Sequence, residues 1–430
     1  ILKRMAFLAQ IKHYLNPKTL KSQPVFVNMA SLGLLQIANY IIPILVIPFV
    51  TRALGAEAFG KAMYAQNIIA YLTILVNYGF EYAATQDIAI HKNDKQRTIN
   101  IFWSVIASKF VLLLLSFALL VGLYLFFPKV HADFWLYFFA ALVNVGFAIF
   151  PTWFFQGIEK MAKMAVFNFM VRLVSGTLVV LLITAPEHYR YYLLISSLAY
   201  VVVGLIAFCY VIKKYNLLPQ GCYSFDKGPI VKGFPIFLNC AFAALYTTAG
   251  FTIIGFYFSD TWLGFYSGAH KIVMAFVMLT SMPISMALFP MISRKFSESK
   301  ELGMAMLKKC ACIVGVVGLM VSLVVYLASP LLVSILLGRG FEPSVDMLRT
   351  FAPLPFLIIM ASMFTVQGLY GMQLQKYAPC VGLSVGICCV ALTYVLIPYC
   401  GVYSAIIAYV LAELVEILLS ALIIFIKRRC

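Results

Sequence analysis

The sequence predicts an all-α integral membrane protein with twelve transmembrane helices in two six-helix lobes, related by a parallel pseudo-two-fold repeat. Three observations carry that reading. Of the 430 residues, 63% are hydrophobic and 11% charged, with a mean hydropathy of +0.97; a soluble domain holds about 25% charged residues. The apolar residues fall into runs long enough to cross a hydrocarbon core of about 30 Å at about 1.5 Å per residue. An internal echo then recurs at an offset of 204 residues.

The opening hairpin, within residues 26–97, sets the pattern. Its first arm, NMASLGLLQIANYIIPILVIPFV, carries no formal charge. Pro43 and Pro48 interrupt it, which a bundle tolerates because neighbouring helices re-satisfy the released carbonyls. The chain turns at TRALGAEAFG and returns through KAMYAQNIIAYLTILVNYGFEYAATQDIAI to the polar HKNDKQR. Asn77, Glu81 and Asp87 in the returning arm are groups that a simple anchor would not hold.

Beyond these two spans, at 26–50 and 60–90, further apolar runs lie at about 101–127, 133–157, 164–185, 190–212, 232–258, 262–292, 308–329, 347–373, 376–398 and 400–426. The connection 213–231 holds Pro, Gly and Asp and reads as an irregular linker. It divides the chain into a basic segment at 1–25, an N-lobe at 26–212, the linker, and a C-lobe at 232–430. The segment 330–346 is the longest external stretch, expected to lie partly in the interface. The first 24 residues lack the continuous apolar core of a secretory signal. The chain opens on Ile1 rather than Met, which leaves its true start open.

The net charge of +17 is distributed by side. With the N-terminus inside, 23 of the 32 Lys and Arg fall in inside loops, six outside and three within helices. This bias follows the positive-inside rule and places both termini in the cytoplasm. The charge is therefore a membrane address, and nucleic acid is not an expected partner.

The repeat is read by laying EAFGKAMYAQNIIAYLTILV over TWLGFYSGAHKIVMAFVMLT without a gap, so that Gly60 meets Gly264, Ala65 meets Ala269 and Ile68 meets Ile272. A weaker echo sets Gln156 and Gly157 beside Gln367 and Gly368. Six helices per half give both halves the same orientation, an arrangement used in alternating-access transport.

No phosphate-binding Gly-rich loop ending in Lys-Ser/Thr occurs, and the five histidines have no ligand spacing. The ten cysteines are scattered and read as small hydrophobes, so neither a disulfide nor a metal is expected. An enzyme is not expected either.

Ionisable groups inside helices are the informative residues, since a mid-membrane charge costs at least about 2.5–3.5 kcal/mol on insertion scales. Lys109, Arg172 and Lys271 lie deep in the third, fifth and eighth spans, with Arg52 at the outer end of the first. Together they suit an anionic ligand, Arg gripping phosphate oxygens in a bidentate fork. Lys109 and Arg172 are alternatively long enough to snorkel to the headgroups; Lys271 is too deep to do so easily. Glu81, Asp87, Glu413 and Glu416 are candidates for coupling or gating. Asp87 alternatively marks the membrane boundary, and Glu413 and Glu416, three apart on one face, alternatively pair with a cation on a neighbouring helix. Pro235, Pro283, Pro290, Pro353 and Pro355 are candidate bending points.

The run from NMASLGLL to YAATQDIA, together with PTWFFQGIEKMAKMAVFNFMVRL at 151–173 and GVYSAIIAYVLAELVEILL near the C-terminus, resembles the Wzx-type flippases of polysaccharide repeat units. These belong to the polysaccharide transporter family of the multidrug/oligosaccharidyl-lipid/polysaccharide (MOP) exporter superfamily. The resemblance implies a bacterial inner-membrane protein that moves undecaprenyl-pyrophosphate-linked oligosaccharides between leaflets by alternating access. The pyrophosphate would sit in a central cationic cavity, driven by counter-transport of a proton or Na+ and without other cofactors. Membrane lipids, a polysaccharide polymerase and chain-length proteins are the further partners it implies. Lys271 falls on Asn67 and Glu81 on Ser285 in the repeat, so the halves would not hold the head group equivalently. The alternatives are an exporter of a drug or another lipid-linked sugar, such as a peptidoglycan precursor, and a membrane polysaccharide polymerase or ligase.

Overall fold

The computed structural model describes the backbone of residues 24–218 and 224–429, and side chains from residue 41 to 427 apart from 219–223, 245 and 246. The basic segment before residue 24 and the middle of the linker lie outside the described residues. Every regular element among the described residues is helical.

Helix α1 (Pro24–Asn77) has 54 residues, about 80 Å at about 1.5 Å per residue, more than twice what a bilayer requires. It is not one rod. Gly55 takes φ 69°, ψ 176°, a region essentially closed to residues with a Cβ, and breaks α1 into two arms. This is the turn expected at TRALGAEAFG. Pro43 and Pro48 stay within the first arm. The second arm bends again at Tyr78 and Gly79, both at positive φ, and continues as α2 (Phe80–His91).

Asp94 caps α3 (Lys95–Phe126), its carboxylate accepting from the Arg97 backbone N–H at 3.0 Å. After the single turn α4 (Pro128–Ala132), α5 (Phe134–Ile149) runs to Pro151, which ends it. The motif PTWFFQG forms α6 (Thr152–Gly157), followed by α7 (Met161–Leu182) and α8 (Tyr189–Tyr215).

In the second half, α9 (Gly228–Thr247) and α10 (Ala249–Tyr257) make a pair bent by 46°. The long α11 (Asp260–Glu298) and α12 (Lys300–Leu336) are joined at Ser299, whose hydroxyl caps α12 by accepting from Leu302 N–H at 3.1 Å. The span expected at 347–373 is found as one span, Ser344–Tyr370, built from α13 (Ser344–Phe351), α14 (Leu354–Ser362) and a π-helical segment, Met363–Tyr370. Pro353 and Pro355 lie at the junction of α13 and α14, where they open α14. α12 runs through Pro330 to Leu336, so the outer link is shorter than expected. Helices α15 (Ala378–Cys400) and α16 (Tyr403–Arg429) close the fold. Among the described residues ten helices are long and apolar enough to cross a membrane, or eleven with the bent pair as one span; the first holds both sides of the Gly55 break.

The two halves meet along α1 and α11, the most extensive helix contact. The 204-residue echo is visible there as a reciprocal crossing. A Cβ on Gly60 would stand 1.8 Å from the Asp260 carbonyl oxygen, and one on Gly264 would stand 2.0 Å from that of Ala56. Around this crossing lies the main core, with Phe59, Tyr64 and Ala65 packed with Leu263, Tyr266 and Ala269. A second core near Asp94 joins Phe80, Phe102, Trp153 and Phe154, and a third joins Phe296, Leu307, Ile359 and Met363. The eight described cysteines are free thiols.

Candidate functional site

A cavity of about 610 Å³ lies between both arms of α1, α5, α7, α8 and α11. Its apolar floor comes from α1, where Ile42, Val46 and Ile47 face inward. Gly176 on α7 allows this approach, its Cβ position lying 3.1 Å from a Val46 methyl. Repeat-related positions reach the cavity from opposite halves: Gln66 with His270, and Ala70 with Met274.

Two of the four expected cations line it. Arg172 comes from α7 and Lys271 from α11, each eleven residues, or about 16 Å, from the start of its helix. The Arg172 guanidinium rests 5.6 Å from the Tyr200 ring and the Lys271 ammonium 5.9 Å from the Phe59 ring. The two charges lie within electrostatic reach of each other. Like charges in one cavity disfavour each other, and an anion relieves both. Beside them stand Ser175, Ser196, Tyr192 and Tyr200. Cations, hydroxyls and aromatic faces together make a wall chemically able to hold an anion's oxygens and to pack on a flat apolar face.

The other two cations lie elsewhere. Arg52 is exposed and donates from Nη2 to the Ile335 carbonyl at 2.7 Å. It caps the C-terminus of α12, where orphan carbonyls favour a cation. Lys109 is 1% exposed and donates to the Phe147 carbonyl at 2.9 Å, so it neither snorkels nor enters the cavity.

None of the four carboxylates lines the cavity. Glu81 accepts from the Thr152 hydroxyl at 3.3 Å, and its repeat mate Ser285 is met by the Gln367 amide at 2.8 Å. Asp87 is buried and paired with Lys232 of the second half at 2.5 Å. Glu413 is buried, and Glu416 accepts from the Thr365 hydroxyl at 2.9 Å. Among the described residues neither forms an ion pair, so a cation on a neighbouring helix is not what holds them. Tyr192, Tyr200, Ser175 and Gln66 escape sequence reasoning because 36 Phe, 25 Tyr and many hydroxyls leave no pattern to select them. His270 is signalled only by its place beside Lys271. It sits among Phe251, Tyr266, Phe351 and Tyr409 rings, with centroids 4.8–6.4 Å away.

An all-helical multi-pass bundle around a cationic, aromatic cavity is the architecture of a membrane transporter. The fold matches the lipid II flippase MurJ in an inward closed conformation, with TM-score 0.69 and 13% identity over 94% of this chain and 88% of that one. It also matches an inward-facing multidrug resistance MATE family transporter of the MOP superfamily, with TM-score 0.64 and 14% identity over 94% and 99%. A protein from Escherichia coli (strain K12) named "Putative O-antigen transporter" is 31% identical over 344 residues, which are 79% of this chain and 82% of that protein. The family described as "Polysaccharide biosynthesis protein" matches residues 25–296. The chain belongs to that family.

Proposed function

We propose that this protein is a transporter, not an enzyme, that flips an undecaprenyl-pyrophosphate-linked oligosaccharide repeat unit from the cytoplasmic to the periplasmic leaflet of a bacterial inner membrane. The observation that carries this reading is the meeting of Arg172 and Lys271, from opposite halves of the chain, in one cavity walled by hydroxyls and aromatic rings. Pyrophosphate needs two or more cations with fork-like donors, and a sugar needs flat apolar faces with hydroxyl partners. The name of the Escherichia coli relative supports the same class of cargo.

In this reading the two arms of α1 are separate spans. Eleven apolar spans then become twelve, six to each side of the linker at 213–231, with both termini in the cytoplasm. Alternating access follows from the halves rocking about the crossing of α1 and α11. Glu413 and Glu416 are the groups for a coupling proton or Na+, and Asp87 gates the Asp94 end through Lys232.

Deleting the gene should make lipid-linked repeat units accumulate on the cytoplasmic face, where an impermeant glycosidase or label added to inside-out membrane vesicles reads them. Lys271→Ala should lower surface polysaccharide while immunoblots still find the protein in the membrane. Normal polysaccharide in both strains would sink the proposal. Reporter fusions should place 91–98 and 213–231 in the cytoplasm.

A further inference from the structure

Lys109 is the one buried Lys or Arg among the described residues, at 1% exposure, and the cavity does not use it. Its Nζ donates to the Phe147 carbonyl at 2.9 Å. In an unbroken helix that carbonyl would accept the N–H four residues on. The residue four on is Pro151, which has no N–H. The proline also excludes Phe150 from the helical region, and Phe150 sits at φ −68°, ψ 114°. The Phe147 carbonyl is thus orphaned inside an apolar bundle, where an unsatisfied polar group is costly.

The same residue forms part of the cavity wall. The Phe147 ring packs on Tyr200 at 5.0 Å, and Tyr200 carries the Arg172 guanidinium at 5.6 Å. Gly146 brings α5 and α8 close enough for this, since a Cβ there would stand 2.7 Å from the Tyr200 Cβ. We propose that Lys109 is a positioning residue: its ammonium replaces the hydrogen bond that Pro151 removes and fixes the Phe147–Tyr200 wall that aims Arg172 at a pyrophosphate. Lys109 therefore supports anion binding without touching the anion. This inference rests on the reading of the cavity as the substrate site.

The test is a substitution cycle on the purified full chain, read as affinity for farnesyl pyrophosphate and as melting temperature. Lys109→Met should weaken binding about tenfold, as loss of a supporting partner behind a ligand-holding group does. Pro151→Ala restores an N–H and lets residue 150 rejoin the helix. In that background Lys109→Met should cost no more than about twofold in affinity, within the additivity error of independent sites. Where Lys109→Met alone does not fold, rescue of folding and binding by Pro151→Ala supports the inference equally. A loss that Pro151→Ala does not rescue, or no loss at all, overturns it. Arg172→Ala separates the two levels. If Arg172→Ala abolishes binding while Lys109→Met leaves the affinity unchanged, only this inference fails. If Arg172→Ala binds normally, the reading of the cavity fails and the inference with it.

Discussion

Gly60 and Gly264, 204 residues apart in sequence, are packed on each other's helices at the crossing of α1 and α11. Each occupies the only kind of position where its partner backbone can pass, with 1.8 Å and 2.0 Å from a would-be Cβ to the facing carbonyl oxygen. The contact is self-consistent, since Asp260 and Ala56, the residues touched, are also 204 apart. Small residues at such crossings let membrane helices approach where hydrophobicity supplies no drive between them.

Gly264→Ala should therefore act like overpacking and cost about 1–3 kcal/mol, since the atom it meets is backbone and cannot rotate away. The detergent-solubilised protein should melt at a lower temperature, and export should fall with it. An unchanged melting temperature would show that the crossing is loose.

The opposite end is held differently, and the two partners of its ion pair are not equivalent. The Asp87 side chain is 5% exposed and that of Lys232 is 52% exposed. Lys232→Ala strands a buried carboxylate, which costs about 3–5 kcal/mol when a partner is lost. Asp87→Asn strands only a half-exposed ammonium, a loss near the about 0–1 kcal/mol of surface pairs. Thermal melts should show Lys232→Ala as the more damaging change. The reverse order would mean that Asp87 is not desolvated in the resting protein.

What was legible in the sequence follows from the range of the interactions involved. Spans and the repeat depend on runs and offsets along the chain, and the Gly60 and Gly264 alignment already marks the crossing. Arg172 and Lys271 were legible because a charge so deep needs a polar destination. The destinations of Lys109 and Arg52 were not. Each depends on a carbonyl orphaned in a distant segment, Phe147 by Pro151 in one case and Ile335 by the end of α12 in the other. No pattern local to the lysine or arginine encodes that partner. The span near 347–373 is legible from its apolar run, whereas the change to π-helical turns at Met363–Tyr370 carries no local signal.

Glu413 and Glu416 sit together on α16, outside the cavity lining, with the Thr365 hydroxyl donating to Glu416 and sharing a hydrogen bond with Ser420. A buried carboxylate one helical turn from a half-buried one disfavours double ionisation, and the pair is suited to taking up a proton or a small cation. In proteoliposomes, Glu413→Gln should leave farnesyl pyrophosphate binding intact while transport no longer accelerates under an imposed proton or Na+ gradient. A variant that keeps its gradient response would remove the pair from coupling.

Arg172 and Lys271 approach one cavity from opposite halves, so their contributions to anion binding should not add. On the proposed function, removing either leaves the other as a single cation that would still attract a pyrophosphate but no longer bracket it. Arg172→Lys keeps the charge and loses the planar fork, so it should weaken affinity less than Arg172→Ala but still measurably. The double change Arg172→Ala with Lys271→Ala should lose less than the sum of the single losses, with a coupling of about 0.5–3 kcal/mol, the range for residues sharing a partner. Farnesyl pyrophosphate titrations of the four proteins measure it. Strict additivity would place the two cations on separate ligands, and the head group would then be held by one half of the protein alone.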